Sequence, residues 1–146
     1  MGLAIGALVK QIPKFEAMAL GADGRLVRDG LELEMNPYCR RAVAQAVDLA
    51  ATHGGTVTVV TLGPEAAEDA LREAIAWGLD RGVDTTGLLV TDTAFAGSDT
   101  LATAIALAAA LRAAGPNGAL ALRVGRAGRS FALGVPLGDA VRPRAA

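Results

Sequence analysis

The sequence predicts a three-layer α/β fold in which helices cover both faces of a parallel sheet. The first observation is an alternation along the chain, with four strand-like apolar runs separated by three helical patterns. The second is that most connections between these segments are short, which favours right-handed βαβ crossovers. The third is that 146 residues with 52% hydrophobic side chains suffice for one buried core.

Four segments have the composition of strands. Residues 3–9 (LAIGALV) form an apolar run without helical spacing, and residues 56–62 (TVTVVTL) are rich in β-branched side chains. The third and fourth strands are predicted at residues 88–90 and 119–124, and Arg123 weakens the prediction of the fourth. Parallel strands end at a common edge of the sheet, and folds of this type bind ligands beyond that edge.

Three segments have helical patterns. Residues 37–52 carry an apolar stripe at helical spacing, and Gly54 follows as a stop. Residues 65–77 predict a second helix whose first turns are acidic, and the third runs from Ser98 or Asp99 to about residue 114. His53 is interpreted as a residue that favours the dipole at the end of the first helix.

The segment between the first strand and the first helix is irregular. Residues 13–30 form an excursion with a turn signal at 22–24 and a small hairpin predicted around 25–30. Residues 31–35 alternate apolar and acidic side chains, which is typical of an edge strand or an extended entry into the helix.

Charge and residue counts exclude several classes of protein. The net charge of −1 gives no general attraction to nucleic acid. Residues 1–125 hold 10 basic and 14 acidic groups (net −4), whereas residues 126–146 hold four arginines and one acid (net +3). A single cysteine and a single histidine argue against a disulfide, a metal site and a His-dependent catalytic site, and no catalytic residue is predicted. Without a signal peptide or a membrane-spanning run, we expect a cytoplasmic protein.

The start of the first helix has an unusual charge pattern. Asn36 is a strong N-cap, Pro37 suits the first helical position, and Arg40 and Arg41 follow with no acid before Asp48. The other two helix starts carry their own acids, so a phosphate group is expected at this start if anywhere. The alternative is an ordinary cap with two solvated arginines.

Cys39 in the same turn has two interpretations. A helix N-terminus and nearby arginines favour an ionised, reactive thiol. The other interpretation, which we favour, is a small packed residue, since no base lies near it in the sequence.

The sequence resembles the β subunit of electron transfer flavoproteins over roughly residues 1–114. Four segments carry the resemblance: 9–13 (VKQIP), 24–50 (including DGLELEMNPYC), 57–64 (VTVVTLGP) and 70–82 (ALREAIAWGLDRG). The resemblance implies a Rossmann-like adenine-nucleotide-binding topology and a structural AMP, or a second FAD in some members. It also implies a heterodimer with an FAD-bearing α subunit that relays electrons from dehydrogenases, without substrate chemistry of its own.

The resemblance also implies a set of nucleotide-binding residues. Asn36, Pro37, Tyr38 and Cys39 match the segment that holds the nucleotide in the family. Leu8 matches the first-strand residue beside the adenine, and Leu62 matches the end of the second strand in the same pocket.

The sequence departs from the family after Gly115. Gly125 and Arg126 fit the start of the family's phosphate loop, but residues 127–131 do not continue it. We therefore expect a nucleotide-binding domain over 1–125 and a divergent tail over 126–146, with disorder as an open alternative for the tail. The first hypothesis is a redox-partner subunit that holds AMP and docks an FAD-bearing α subunit. The alternatives are a stand-alone adenine-nucleotide-binding module and a truncated, non-functional homologue.

Overall fold

Strands and helices alternate along the chain. The computed structural model describes residues 2–14, 19–25, 27, 30–114, 120–124 and 130–133. In chain order the elements are β1 (Leu3–Val9), β2 (Gln11–Pro13), β3 (Leu33–Met35), α1 (Pro37–His53), β4 (Gly55–Leu62), α2 (Glu68–Asp80), β5 (Asp84–Val90), α3 (Thr100–Ala114), β6 (Leu120–Val124) and β7 (Ser130–Leu133).

The main sheet has the strand order β5-β4-β1-β6-β7. The first four of these strands are parallel, and β7 is antiparallel to β6. β1 pairs with β4 along its whole length, from Leu3 opposite Gly55 to Val9 opposite Thr61. This arrangement confirms the predicted α/β fold, and the parallel strands follow a Rossmann-like order.

Helices pack on both faces of this sheet. α1 lies over β1, β4 and β6, and α2 lies over β4 and β5. The core beneath them is built from small and branched side chains, including Val43, Ala46, Val59 and Ala74, which are fully buried. α3 contacts β4 and β5 from the opposite face, because its crossover runs back across the sheet.

Several predicted boundaries are confirmed. β1 spans the predicted residues, and α1 ends at His53 before Gly54, whose φ of 68° favours glycine. The start of α3 is fixed by Asp99, whose Oδ1 accepts a hydrogen bond from Ala102 N (2.8 Å).

The second helix and the third strand differ from their predicted bounds. A 3₁₀ turn occupies Glu65–Ala67, so α2 begins at Glu68 and continues to Asp80, past the predicted end at residue 77. Gly78 is buried inside α2, facing Thr85. β5 begins at Asp84 instead of residue 88, because its polar first residues pair in register with β4, starting at Thr56 opposite Asp84.

The remaining expectations concern the two irregular regions. The turn at 22–24 is confirmed by a hydrogen bond from Gly24 N to Gly21 O (2.9 Å), whereas residues 26, 28 and 29 of the hairpin lie outside the described residues. β7 lies within the 126–146 tail, where no strand was predicted. The rest of that tail lies outside the described residues. Among the helices that the structure describes, none combines the length and the apolar character needed to cross a bilayer.

Candidate functional site

The first turn of α1 satisfies its own backbone donors. Asn36 Oδ1 accepts a hydrogen bond from Tyr38 N (2.9 Å), and Asn36 O accepts from Cys39 N (2.8 Å) and Arg40 N (3.1 Å). Pro37 has no N–H, and Asn36 N donates to Lys10 O (2.9 Å) at the end of β1. The predicted N-cap is therefore confirmed. The turn holds no free N–H among these residues, however, so the expected phosphate seat has no backbone donor there.

Arg40 is not solvated, and this corrects both interpretations of the helix start. Its Nε lies 2.7 Å from Glu73 Oε1 of α2, and its other guanidinium nitrogens bind Glu73 Oε2 (3.3 Å) and Glu34 Oε2 of β3 (3.2 Å). These hydrogen bonds, led by the one to Glu73, raise the pKa of Arg40 against the opposing effect of burial. The acids that the helix lacks in its own first turn come from neighbouring elements, which leaves this arginine unavailable to a phosphate.

Arg41 keeps its charge towards solvent. Its guanidinium carbon lies 5.9 Å from the centre of the Tyr38 ring, within the range of a cation–π contact. Tyr38 itself is 44% exposed. Of the two arginines singled out in the sequence, Arg41 is the one placed to meet an anion.

Cys39 is half-buried and packs against the core below α1. Burial raises the pKa of the Cys39 thiol, and this effect outweighs the opposing hydrogen bond from the Lys10 backbone and the charge of Lys10. The ionised-thiol interpretation is wrong, and the packed-residue interpretation is confirmed.

We expect the protonation of Cys39 to appear in the pH dependence of stability. Between the unfolded pKa, about 8.5, and the higher folded pKa, the folded chain binds more protons than the unfolded chain, so stability falls as pH rises. Urea denaturation of the wild type and Cys39→Ala between pH 7 and 10 measures this. The stability difference between them should be constant below about pH 8 and should shift against the wild type above it. A difference that does not change with pH would contradict the raised pKa.

The two leucines of the predicted site lie on one face of the sheet. Leu8 pairs with Val60, and Leu62 lies two residues further along β4. Since side chains alternate along a strand and Val57 and Val59 belong to the core under α1, both leucines face the α3 side. Both are half-buried. The six predicted residues thus share the carboxyl edge of the sheet, with the leucines on one side of it and the α1 start on the other.

Two polar side chains at this edge were missed. Thr61 is fully buried, and its Oγ1 has no hydrogen-bond partner among the residues that the structure describes; the same is true of the buried Gln11 Oε1. The alternation in 57–61 places Thr61 at an inward position beside Val57 and Val59, a signal that could have identified it. Gln11 carries no comparable signal in the sequence.

Comparison with known proteins places the chain in a family. The electron transfer flavoprotein domain matches residues 23–135, which is most of the chain. The chain therefore belongs to the electron transfer flavoprotein domain family. The match continues through β6 and β7, beyond the divergence placed after residue 115.

Curated relatives match about 70% of the chain. Protein FixA of Azorhizobium caulinodans is 44% identical over 73% of this chain and 37% of its own length. Protein FixA of Rhizobium meliloti is 44% identical over 70% of the chain and 34% of its own length. The electron transfer flavoprotein subunit beta of Thermoanaerobacterium thermosaccharolyticum is 41% identical over 71% of the chain and 38% of its own length. The chain spans little more than a third of the length of these relatives.

Proposed function

We propose that this chain is an electron-transfer subunit that binds AMP as a structural nucleotide and pairs with an FAD-bearing α subunit. Membership of the electron transfer flavoprotein domain family carries the proposal. Relatives bearing the name electron transfer flavoprotein subunit beta support it. In this role the protein is a carrier in a cytoplasmic complex that relays electrons from dehydrogenases, and it performs no bond chemistry on a substrate.

The arrangement of the carboxyl edge is compatible with a nucleotide. Leu8 and Leu62 offer two neighbouring apolar side chains for an adenine ring, and residues 36–39 lie across the same edge. The satisfied N–H groups and the paired Arg40 make the first turn of α1 a poor phosphate site, and of its two arginines Arg41 is the one that can meet an anion. AMP contributes no redox chemistry when bound.

Co-expression with the α subunit of an electron transfer flavoprotein tests the proposal. The expected result is recovery of a complex that contains FAD, with AMP released when the complex is denatured. AMP without complex formation would favour the stand-alone nucleotide-binding module. Recovery of neither AMP nor a complex would contradict the proposal and would favour the non-functional remnant.

We expect Leu8→Arg to weaken AMP binding about tenfold, because a charged side chain replaces apolar contact area beside the base. Isothermal titration of the purified chain with AMP measures the change. Leu79→Arg is the matched control, since Leu79 is 72% exposed near the end of α2, away from the carboxyl edge. Equal affinities for the two variants would show that Leu8 is not in the site.

A further inference from the structure

The face of α3 that is turned away from the sheet is apolar. Leu101 and Ile105 are 68% and 52% exposed, and the other exposed side chains between residues 101 and 113 are alanines and Arg112. A surface helix normally presents polar side chains to water, whereas a helix that is apolar on all sides is normally buried. This outer face of α3 therefore indicates a contact beyond those that the described residues make.

An open groove lies along the outer face of α3. Its volume is about 540 Å³, and it is lined by Val90 at the end of β5, by Phe95 in the turn that follows, and by Ile105 and five alanines of α3. β5 is the last strand at this end of the sheet, so a second helix can approach the groove from outside. The small alanine side chains allow its backbone to come close to that of α3.

The shape of this face is complementary to itself. When two copies of α3 lie antiparallel about a two-fold axis at the helix midpoint, residue 107, Ile105 of one copy is level with Ala109 of the other. Leu101 is level with Ala113 in the same way. Each large exposed side chain is therefore matched with a small one.

The charges at the two ends of α3 favour the same direction. Asp99 caps the start of the helix, and Arg112 lies in its last turn. An antiparallel pair brings the acidic end of one helix to the basic end of the other, whereas a parallel pair would bring like charges together.

We propose that the outer face of α3 is a homodimer interface, occupied by α3 of a second copy of this chain in the antiparallel direction. The inference goes beyond the proposed function and does not rest on it, because neither a nucleotide nor an α subunit enters the argument. The interface is isologous, so one substitution changes it twice.

The variant Ile105→Glu tests the interface. Sedimentation equilibrium of the wild-type chain over the micromolar range should show a mass that rises from 14.7 kDa towards twice that value. Ile105→Glu should raise the dimer dissociation constant at least about 100-fold, because two carboxylates would be buried in an apolar groove. Leu79→Glu is the matched control, since Leu79 is 72% exposed on α2, on the other face of the sheet, and this variant should dimerise as the wild type.

Cysteine cross-linking tests the direction of the two helices. Ala102 and Ala113 come within one residue of the same level in the antiparallel pair, so Ala102→Cys and Ala113→Cys chains should form a disulfide when mixed. Each variant alone should not, because the two copies of either position lie about 15 Å or more apart along the helix axis. Both variants are made in the Cys39→Ala background, which removes the native thiol.

The outcomes distinguish this interface from other occupants of the groove. A concentration-dependent dimer that Ile105→Glu abolishes, with cross-links only in the mixture, supports the inference. A monomeric wild-type chain, an Ile105→Glu variant that still dimerises, or cross-linking of each cysteine variant with itself overturns it and leaves the proposed function intact. A monomeric chain whose Ile105→Glu variant fails to pair with a co-expressed α subunit also overturns it, and assigns the groove to that subunit.

Discussion

Gly78→Ala is expected to lower the free energy of unfolding by about 3 kcal/mol. Helix propensity alone predicts the opposite sign, since alanine in a helix interior is favoured over glycine by about 1 kcal/mol. The close packing of α2 against β5 outweighs this preference for alanine. A Cβ at position 78 would lie 2.6 Å from Thr85 Cβ and 3.2 Å from Val83 O, so α2 would have to move away from β5. Urea denaturation followed by circular dichroism measures the loss.

Two further variants identify the cause of the stability loss in Gly78→Ala. Gly82→Ala has no heavy atom within 4 Å of the new Cβ but keeps a φ of 66°, so it should lose only about 1 kcal/mol. Thr85→Gly combined with Gly78→Ala removes the atoms that collide, so the double variant should be more stable than the sum of the single losses predicts. Additive losses would show that α2 does not approach β5 as described.

Arg40→Ala is expected to cost about 2 kcal/mol of stability. The change leaves the carboxylates of Glu34 and Glu73 without their shared cation, and their side chains are only 24% and 30% exposed. The figure lies below that of fully buried pairs because solvent partly screens the charges. Thermal and urea unfolding at low and high salt measure the effect, which should decrease as salt screens the repulsion.

Arg72→Ala is the matched control for this prediction. Arg72 forms an ion pair with Glu68 one turn earlier on α2, and both side chains are more than half exposed. Its loss should cost less than about 0.5 kcal/mol. If both variants lost the same small amount, the Arg40 cluster would contribute no more than an ordinary surface pair. Replacing Glu34 and Glu73 with glutamine in the Arg40→Ala background should restore part of the stability, because it removes the repulsion.

Local sequence determined most of the fold, and tertiary contacts determined the rest. β1, α1 and β4 were predicted nearly to the residue because apolar runs, an N-cap and a glycine stop are local signals. The start of β5 was missed because Asp84 and Gly87 are disfavoured in strands and flank the two strand-favouring threonines, Thr85 and Thr86. Pairing with β4 makes the whole segment a strand. The second helix was predicted to end at residue 77, but it continues through Gly78, which is buried against Thr85.

In the candidate site, too, the local features were predicted and the tertiary contacts were not. The N-cap at Asn36 and the absence of acids in the first turn are properties of adjacent residues and were predicted correctly. The ion-pair partners of Arg40 were not predicted, because Glu73 lies on another helix and contacts Arg40 only in the folded chain. The nucleotide-binding roles of Leu8, Leu62 and residues 36–39 stay predictions that rest on family membership.

The ladder between β2 and β3 has a consequence for how this fold can change in length. Pro13 lies opposite Leu33, and Lys14 N donates to Glu32 O (3.0 Å), so the chain leaves and re-enters the domain at adjacent points. The entropy of closing a loop rises by only about 0.6 kcal/mol for each doubling of its length. Insertions and deletions between these anchors are therefore tolerated while β1 and α1 keep their places.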